Sequence, residues 1–251
     1  MATVVTVMDR DGLSHCTDNI VVVQPDRRRL LWVPRDVWCE PLGNRINQAF
    51  RKGGHQGLLD GLASLEITAD HSLCLPRGVV AQALERATVT VPVATPLRFW
   101  YPLTPEATIE EGRKPVDFEP PREDLRGERI HQWLGARYGR DDEVPASDFG
   151  RIERQQVFVR ALLRQHFDFS VVLDGLAESS FSSPAALDDL RRVRSWWRMA
   201  YTDQVADRTL DDGRQVLVLR SPEPKAKPKL PRWRRAVARV GSVSRQGTRG
   251  P

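Results

Sequence analysis

The 251-residue sequence predicts a layered α/β (α+β) domain over residues 1–220, followed by a basic Pro-rich tail over residues 221–251. Three observations carry that expectation. Short β-branched runs crowd the first 35 residues, apolar positions recur at helical spacing further on, and proline with positive charge takes over after Ser221.

The elements follow in chain order. Residues 3–8 (TVVTVM), 19–24 (NIVVVQ) and 30–33 (LLWV) read as strands, with Pro25-Asp26-Arg27-Arg28-Arg29 supplying a turn between the second and third. Residues 49–65 and 79–87 read as helices and residues 88–93 (TVTVPV) as a strand. Residues 94–124 are rich in proline and poor in periodicity, which predicts a long loop or lid. Residues 125–137 are expected to be partly helical. A helix begins at Ser147-Asp148, with Asp148 as N-cap and Ile152, Val159, Leu162 and Leu163 at helical spacing. Residues 186–200 are a further helix candidate, and residues 215–219 (QVLVL) a last strand.

Composition bounds the function. The formal net charge is +5, but nine Lys/Arg and one acid lie within residues 222–251, so the rest of the chain is net acidic. Basicity is a property of the tail, and no specific nucleic-acid partner is expected. Pro231-Arg-Trp-Arg-Arg-Ala-Val-Ala-Arg-Val240 sets arginines beside Trp233 and Val237. That pattern suits either a solubilising disordered tail or peripheral contact with an anionic membrane. Cys16, Cys39 and Cys74 are odd in number and lack CxxC spacing, so no disulfide framework is expected. No run approaches the ~18 apolar residues of a membrane span, and the start lacks the basic flank of a secretory signal. As read, the chain is cytoplasmic or peripheral to a membrane. P-loop, dinucleotide and Ser/His/Asp patterns are all missing from the sequence.

Topology brings three charged residues together. If the first three strands form a meander, the end of the first, the start of the second and the end of the third share one edge. With strands ~4.8 Å apart, Asp9, Asp18 and Arg35 then meet in one site. Two close carboxylates repel unless a cation lies between them, and oxygen ligands favour Mg²⁺. An adjacent arginine supplies the bidentate fork that suits phosphate. Taken singly, either aspartate reads as a turn residue and Arg35 as part of a surface ion pair. The second piece is Asp148-Phe-Gly-Arg151-Ile-Glu-Arg154-Gln155-Gln156, where Arg151 and Gln155 share a helical face near a helix N-terminus that suits an anion. A solvated polar face is the plainer reading of that stretch.

Together these segments resemble the LytR–CpsA–Psr family of cell-envelope phosphotransferases. Asp18-Asn-Ile-Val-Val-Val resembles the strand after the family's second metal-binding aspartate, and Leu31-Trp-Val-Pro-Arg-Asp36 its Ser-Ile-Pro-Arg-Asp. Arg45-Ile-Asn-Gln-Ala-Phe-Arg-Lys-Gly-Gly54 is similar to Lys-Ile-Asn-x-Ala-Tyr-x-x-Gly-Gly, and Leu125-Arg-Gly-Glu128 to Leu-Asp-Gly-Glu. The stretch from Asp148 to Gln156 matches Asp-Phe-Gly-Arg-x-x-Arg-Gln-Gln almost letter for letter.

The resemblance implies a central mixed sheet flanked by helices, and work at the extracytoplasmic membrane face. It implies Mg²⁺-dependent transfer of a glycan phosphate from a polyprenyl-pyrophosphate carrier to a cell-wall or other polymer acceptor. Asp9 and Asp18 match the metal carboxylates. Arg35, Arg137, Arg151 and Gln155 match the catalytic groups, while Arg45, Arg140, Asp148 and Arg154 are expected on the substrate. Phosphoryl transfer is largely positioning plus charge stabilisation, which such a cage provides. The sequence also departs from the pattern. Cys16 and Gly135 stand where the family has arginines, and Arg140 is the nearby candidate to replace the second. A second reading therefore stays open: a module that keeps the fold and binds polyprenyl-phosphate glycans for regulation or export.

Overall fold

The computed structural model describes residues 1–8, 16–85, 87–104, 107–140, 148–202 and 205–219, with the side chains of Asp148 and Phe149 excepted. Three β-rich runs open the chain: β1 (Thr3–Met8), β2 (Thr17–Gln24) and β3 (Arg29–Val33). They form the antiparallel meander that the sequence predicts, with Met8 opposite Thr17 and Ile20 opposite Val33. Arg28 makes the turn from β2 to β3 in the left-handed region (φ 48°). A small ribbon of β4 (Trp38–Cys39) and β5 (Asn44–Arg45) leads into α1 (Ala49–Ala63). The Gly-Gly pair breaks α1 early: Gly54 has φ 59° and ψ −148°, a conformation open only to glycine.

β6 (His71–Leu75) then runs parallel to β1, and α2 (Arg77–Glu85) follows. The sequence reading missed β6. Ser72, Leu73, Cys74 and Leu75 are all buried, so the strand has no polar–apolar alternation to betray it.

The expected loop over 94–124 is instead mostly strand. After β7 (Val89–Pro92) come β8 (Leu97–Pro102), β9 (Arg113–Phe118) and β10 (Arg122–Leu125). Prolines hide this region from pattern reading, but Pro115 sits in β9, an edge strand where a missing N–H is tolerated. Phe99, Tyr101, Val116 and Phe118 are buried from this hairpin. Gly127, at φ 52°, caps α3 (Glu128–Gly135), and β11 (Tyr138–Gly139) pairs with β8.

The long helix α4 (Asp148–Arg164) starts where the sequence predicts, and the short α5 (Ser170–Leu173) follows. The helix expected over 186–200 is a shorter α6 (Ala185–Arg191) followed by a strand, β12 (Arg198–Tyr201). Tertiary packing overrides local propensity there. Trp197 buries against Trp32, and β12 docks parallel to β3. β13 (Val205–Thr209) and β14 (Gln215–Leu219) close the described chain as a hairpin. The expected basic tail lies outside the described residues.

The central sheet is five-stranded and mixed, in the order β12-β3-β2-β1-β6. Its period-2 side chains face two layers. Val4, Ile20, Val22 and Leu31 pack with Phe50, Leu58 and Leu62 of α1. Val5, Val21, Val23 and Trp32 face the other way, toward Ile152, Val159 and Leu163 of α4. A separate core joins β7–β10 to α3 and to Phe158 and Leu162 of α4. α4 is therefore wedged between two cores, which fixes where its first turns point. No helix among the described residues is long and apolar enough to cross a membrane.

Candidate functional site

The meander places Asp18 at the start of β2 and Arg35 just past the end of β3, on one sheet edge. α4 crosses that edge with its first turn. The result is a shared acceptor: Asp18 Oδ1 accepts from Arg151 Nη1 at 3.0 Å and also from Arg35 Nη1. Arg151 is almost buried, with 7% of its side chain exposed. Burial alone would push the Asp18 carboxyl up, but the charges of Arg151 and Arg35 and their hydrogen bonds outweigh it and hold it below the usual carboxylate range. Asp18 stays ionised at neutral pH, and two guanidiniums are preorganised around it.

These three residues line a cavity of about 550 Å³ that also receives Arg77 and Arg137. The described lining contains four arginines against two carboxylates, Asp18 and Glu110. A concave site with that excess attracts and orients an anion. Arg137 donates to the hydroxyl of Tyr138 at 3.0 Å, and Trp100, opposite Tyr138 in the β8–β11 pair, completes that wall.

Arg77 was not legible in the sequence. Because β6 is parallel to β1, it delivers its end to the same sheet edge, where α2 starts. The one available signal was Leu75-Pro76, an apolar run stopped by proline before a helix. Arg77 also acts on His131, whose ring burial pushes down; the Arg77 charge pushes it down further, and Glu128 opposes. A base held below its unfolded value of 6.5 binds fewer protons folded than unfolded. Stability is therefore expected to fall as pH drops from about 6.5 through the folded value. His131→Gln should remove that component of a pH series of urea-denaturation midpoints, and an unchanged pH profile would refute it.

A second cavity, about 200 Å³ and almost wholly apolar, lies under the sheet between β1–β3 and α4. It shares Val7, Asn19, Val80, Leu84 and Leu134 with the arginine-lined cavity, so the two are contiguous. Its walls include Val21, Val23, Phe158, Val159 and Leu162.

The other sequence-predicted residues lie elsewhere. Gln155, a turn beyond Arg151, lines the apolar cavity and donates to the Leu134 carbonyl at 3.4 Å. Arg45 is exposed on the ribbon and pairs with Asp36 at 2.8 Å, outside the cavity lining. Arg140 bonds Asp117 and stacks on Trp100, so it does not take the place of an arginine at 135. Arg154 is a correction: it points into the core, where its guanidinium donates to the carbonyls of Trp133 (3.1 Å) and Ala136. Burial pushes its pKa down to about 10, and it lies over the Phe99 ring. Asp9 and the Asp148 side chain lie outside the described residues. The two departures also have places. Cys16 accepts from Gln48 Nε2 at 2.8 Å and does not line the cavity. A Cβ at Gly135 would lie 3.4 Å from the Tyr101 hydroxyl, whose ring occupies that space.

Among the described residues, no three His, Cys, Asp or Glu side chains cluster as a metal site. The donor set does admit one. Among the described residues, Asp18 Oδ2 meets a weak 3.5 Å contact from Asn19, which leaves capacity for a hard cation that keeps several waters.

Fold and cavity together define an α/β domain with an arginine-lined cavity and an apolar extension. The sequence matches the LytR_cpsA_psr family over residues 8–178, and the chain belongs to that family. No curated protein matches it. Among solved structures it is similar to gbs0355 from Streptococcus agalactiae, with 18% identity, TM-score 0.59, and 88% of this chain and 82% of that chain covered. It is similar also to TagU from B. subtilis, with 14% identity, TM-score 0.56, and 100% and 99% covered. A third is TagT bound to LI-WTA, with 14% identity, TM-score 0.56, and 88% and 84% covered.

Proposed function

We propose that the chain is a cell-envelope phosphotransferase that moves a glycan phosphate from a polyprenyl-pyrophosphate carrier to a polymer acceptor. The observation that carries this reading is the contiguity of the two cavities. A pyrophosphate needs a cationic, hydrogen-bonding cradle, and a prenyl chain needs a dry apolar slot. The arginine-lined cavity and the cavity under the sheet supply these side by side, sharing five wall residues. The TagT neighbour bound to LI-WTA supports a wall-glycopolymer ligand for this fold.

The chemistry follows from charge. An acceptor hydroxyl oxygen attacks the phosphorus bonded to the glycan, the bond to the bridging oxygen breaks, prenyl phosphate leaves with that electron pair, and the hydroxyl proton passes to the departing phosphate or to water. Arg35 and Arg151, held by Asp18, and Arg77 and Arg137 across the cavity would neutralise charge that builds on the phosphoryl oxygens. Gln155 lines the apolar cavity and donates to the carbonyl of Leu134, a residue common to both walls. Asp9 and Asp18 would hold Mg²⁺, whose role would be further neutralisation of the pyrophosphate. Tyr101 at the glycine of residue 135 leaves four arginines in the cradle for this work.

Release of prenyl phosphate from a prenyl-pyrophosphate-linked glycan, followed with and without added Mg²⁺, tests the reading. Turnover that requires Mg²⁺ is expected. Tight binding with no turnover would instead establish the module reading, to which Cys16 and Gly135 lend weight.

A further inference from the structure

At its far end the apolar cavity adjoins a surface hollow, which would serve as a second mouth. α4 spans from Arg151 at the first mouth to Leu163 at the other, about 18 Å at ~1.5 Å per residue. There the wall residues Leu163, Phe167, Phe169, Leu190 and Val193 also line a surface hollow of about 560 Å³. Among the described residues, the hollow shares no lining residue with the arginine-lined cavity.

The rim of this hollow is unusual for a water-facing surface. Trp196 is 62% exposed, and Val171, beside the lining residues Ser170 and Leu173, is 55% exposed. Arg28 stands over the Trp196 ring at 5.2 Å. Arg191 and Arg194 line the same hollow; Arg191 pairs with Asp188, and Arg194 donates to the backbone carbonyls of Arg191 and Val193. The acid of the lining, Asp168, accepts from the Ser170 backbone N–H, and His166 is the remaining titratable group. An exposed indole ringed by arginines matches the headgroup layer of a bilayer, where an amphipathic ring is half dry and guanidiniums meet lipid phosphates. A soluble anionic partner would need the arginines but not the indole or Val171.

We propose that this mouth docks on an anionic lipid bilayer, so that the prenyl chain passes between the bilayer and the cavity while its pyrophosphate stays in the cradle. The lipid-passage half rests on the prenyl-pyrophosphate reading; the docking half does not.

Flotation of the full chain with phosphatidylglycerol–phosphatidylcholine vesicles tests docking with no prenyl ligand present. The wild type should bind. Arg191→Ala with Arg194→Ala should weaken partitioning by about fivefold for each arginine removed, and Trp196→Ser should weaken it as well. These side chains are exposed, so circular dichroism of the variants should match the wild type. No vesicle binding by the wild type would overturn the proposal. So would unchanged binding by the arginine double variant, which would assign the contact to residues 221–251. An effect of the arginines with none from Trp196 would also overturn it, since that outcome marks adsorption by charge alone, without an indole in the headgroup layer. Farnesyl pyrophosphate affinity without vesicles, measured alongside, reports on the ligand reading separately. Its loss in the wild type with docking intact would sink only the lipid-passage half.

Discussion

Asp18→Ala is expected to lower turnover of a prenyl-pyrophosphate substrate by ~10²-fold or more, the scale seen when one preorganised charge-stabilising group is lost. The cause is geometric as much as electrostatic. One carboxylate oxygen accepts from both Arg35 and Arg151, so its removal takes away the acceptor they share and the negative charge between them. Asp18→Asn separates the two contributions: it keeps a carbonyl acceptor for both arginines and discards the charge. Turnover near zero with asparagine would assign the charge the larger role, and partial recovery would assign it to positioning. Asp18 and Arg35 are partly open to water, which screens the change there, whereas Arg151 is almost buried, so a urea midpoint on each variant separates lost turnover from lost fold. Wild-type turnover in Asp18→Ala, at wild-type stability, would defeat the assignment.

Arg154→Ala is expected to cost ~2–5 kcal/mol of folding stability, on the order of 1–3 kcal/mol for each buried carbonyl left without its donor. Two buried carbonyls, of Trp133 and Ala136, would lose their donor at the junction of α3 and α4. The reciprocal bond from the Trp133 indole N–H to the Arg154 carbonyl, at 3.0 Å, involves backbone and remains. Arg154→Met keeps much of the stem packing and should lose less. Urea denaturation measures the loss, and pyrophosphate titration of the folded fraction should show wild-type affinity. Wild-type stability with lost affinity would mean that Arg154 serves the ligand after all.

What the sequence made legible was what local pattern and short connections determine. Asp18 and Arg35 could be placed because a meander with short turns leaves no choice about which strand ends share an edge. Arg151 followed from a capped helix with clear apolar spacing. Arg77 could not be found in this way, because its position depends on β6 pairing with β1 across some 65 residues, and β6 is buried on both faces. The β8–β9 hairpin was hidden by prolines that an edge strand tolerates. Arg154 misled for a different reason. The resemblance implied a substrate contact, and only the packing of α3 against α4 reveals that the Arg154 guanidinium serves carbonyls in the core. The resemblance named the family correctly.

Titration of farnesyl pyrophosphate, inorganic pyrophosphate and farnesol into the protein tests the central claim most directly, that one ligand spans the arginine cradle and the apolar cavity. The prenyl pyrophosphate should bind more tightly than either fragment, and Arg151→Ala should weaken it and inorganic pyrophosphate by the same factor while leaving farnesol unaffected. Equal affinity for inorganic and prenyl pyrophosphate would mean that the apolar cavity takes no part, and the account would fail.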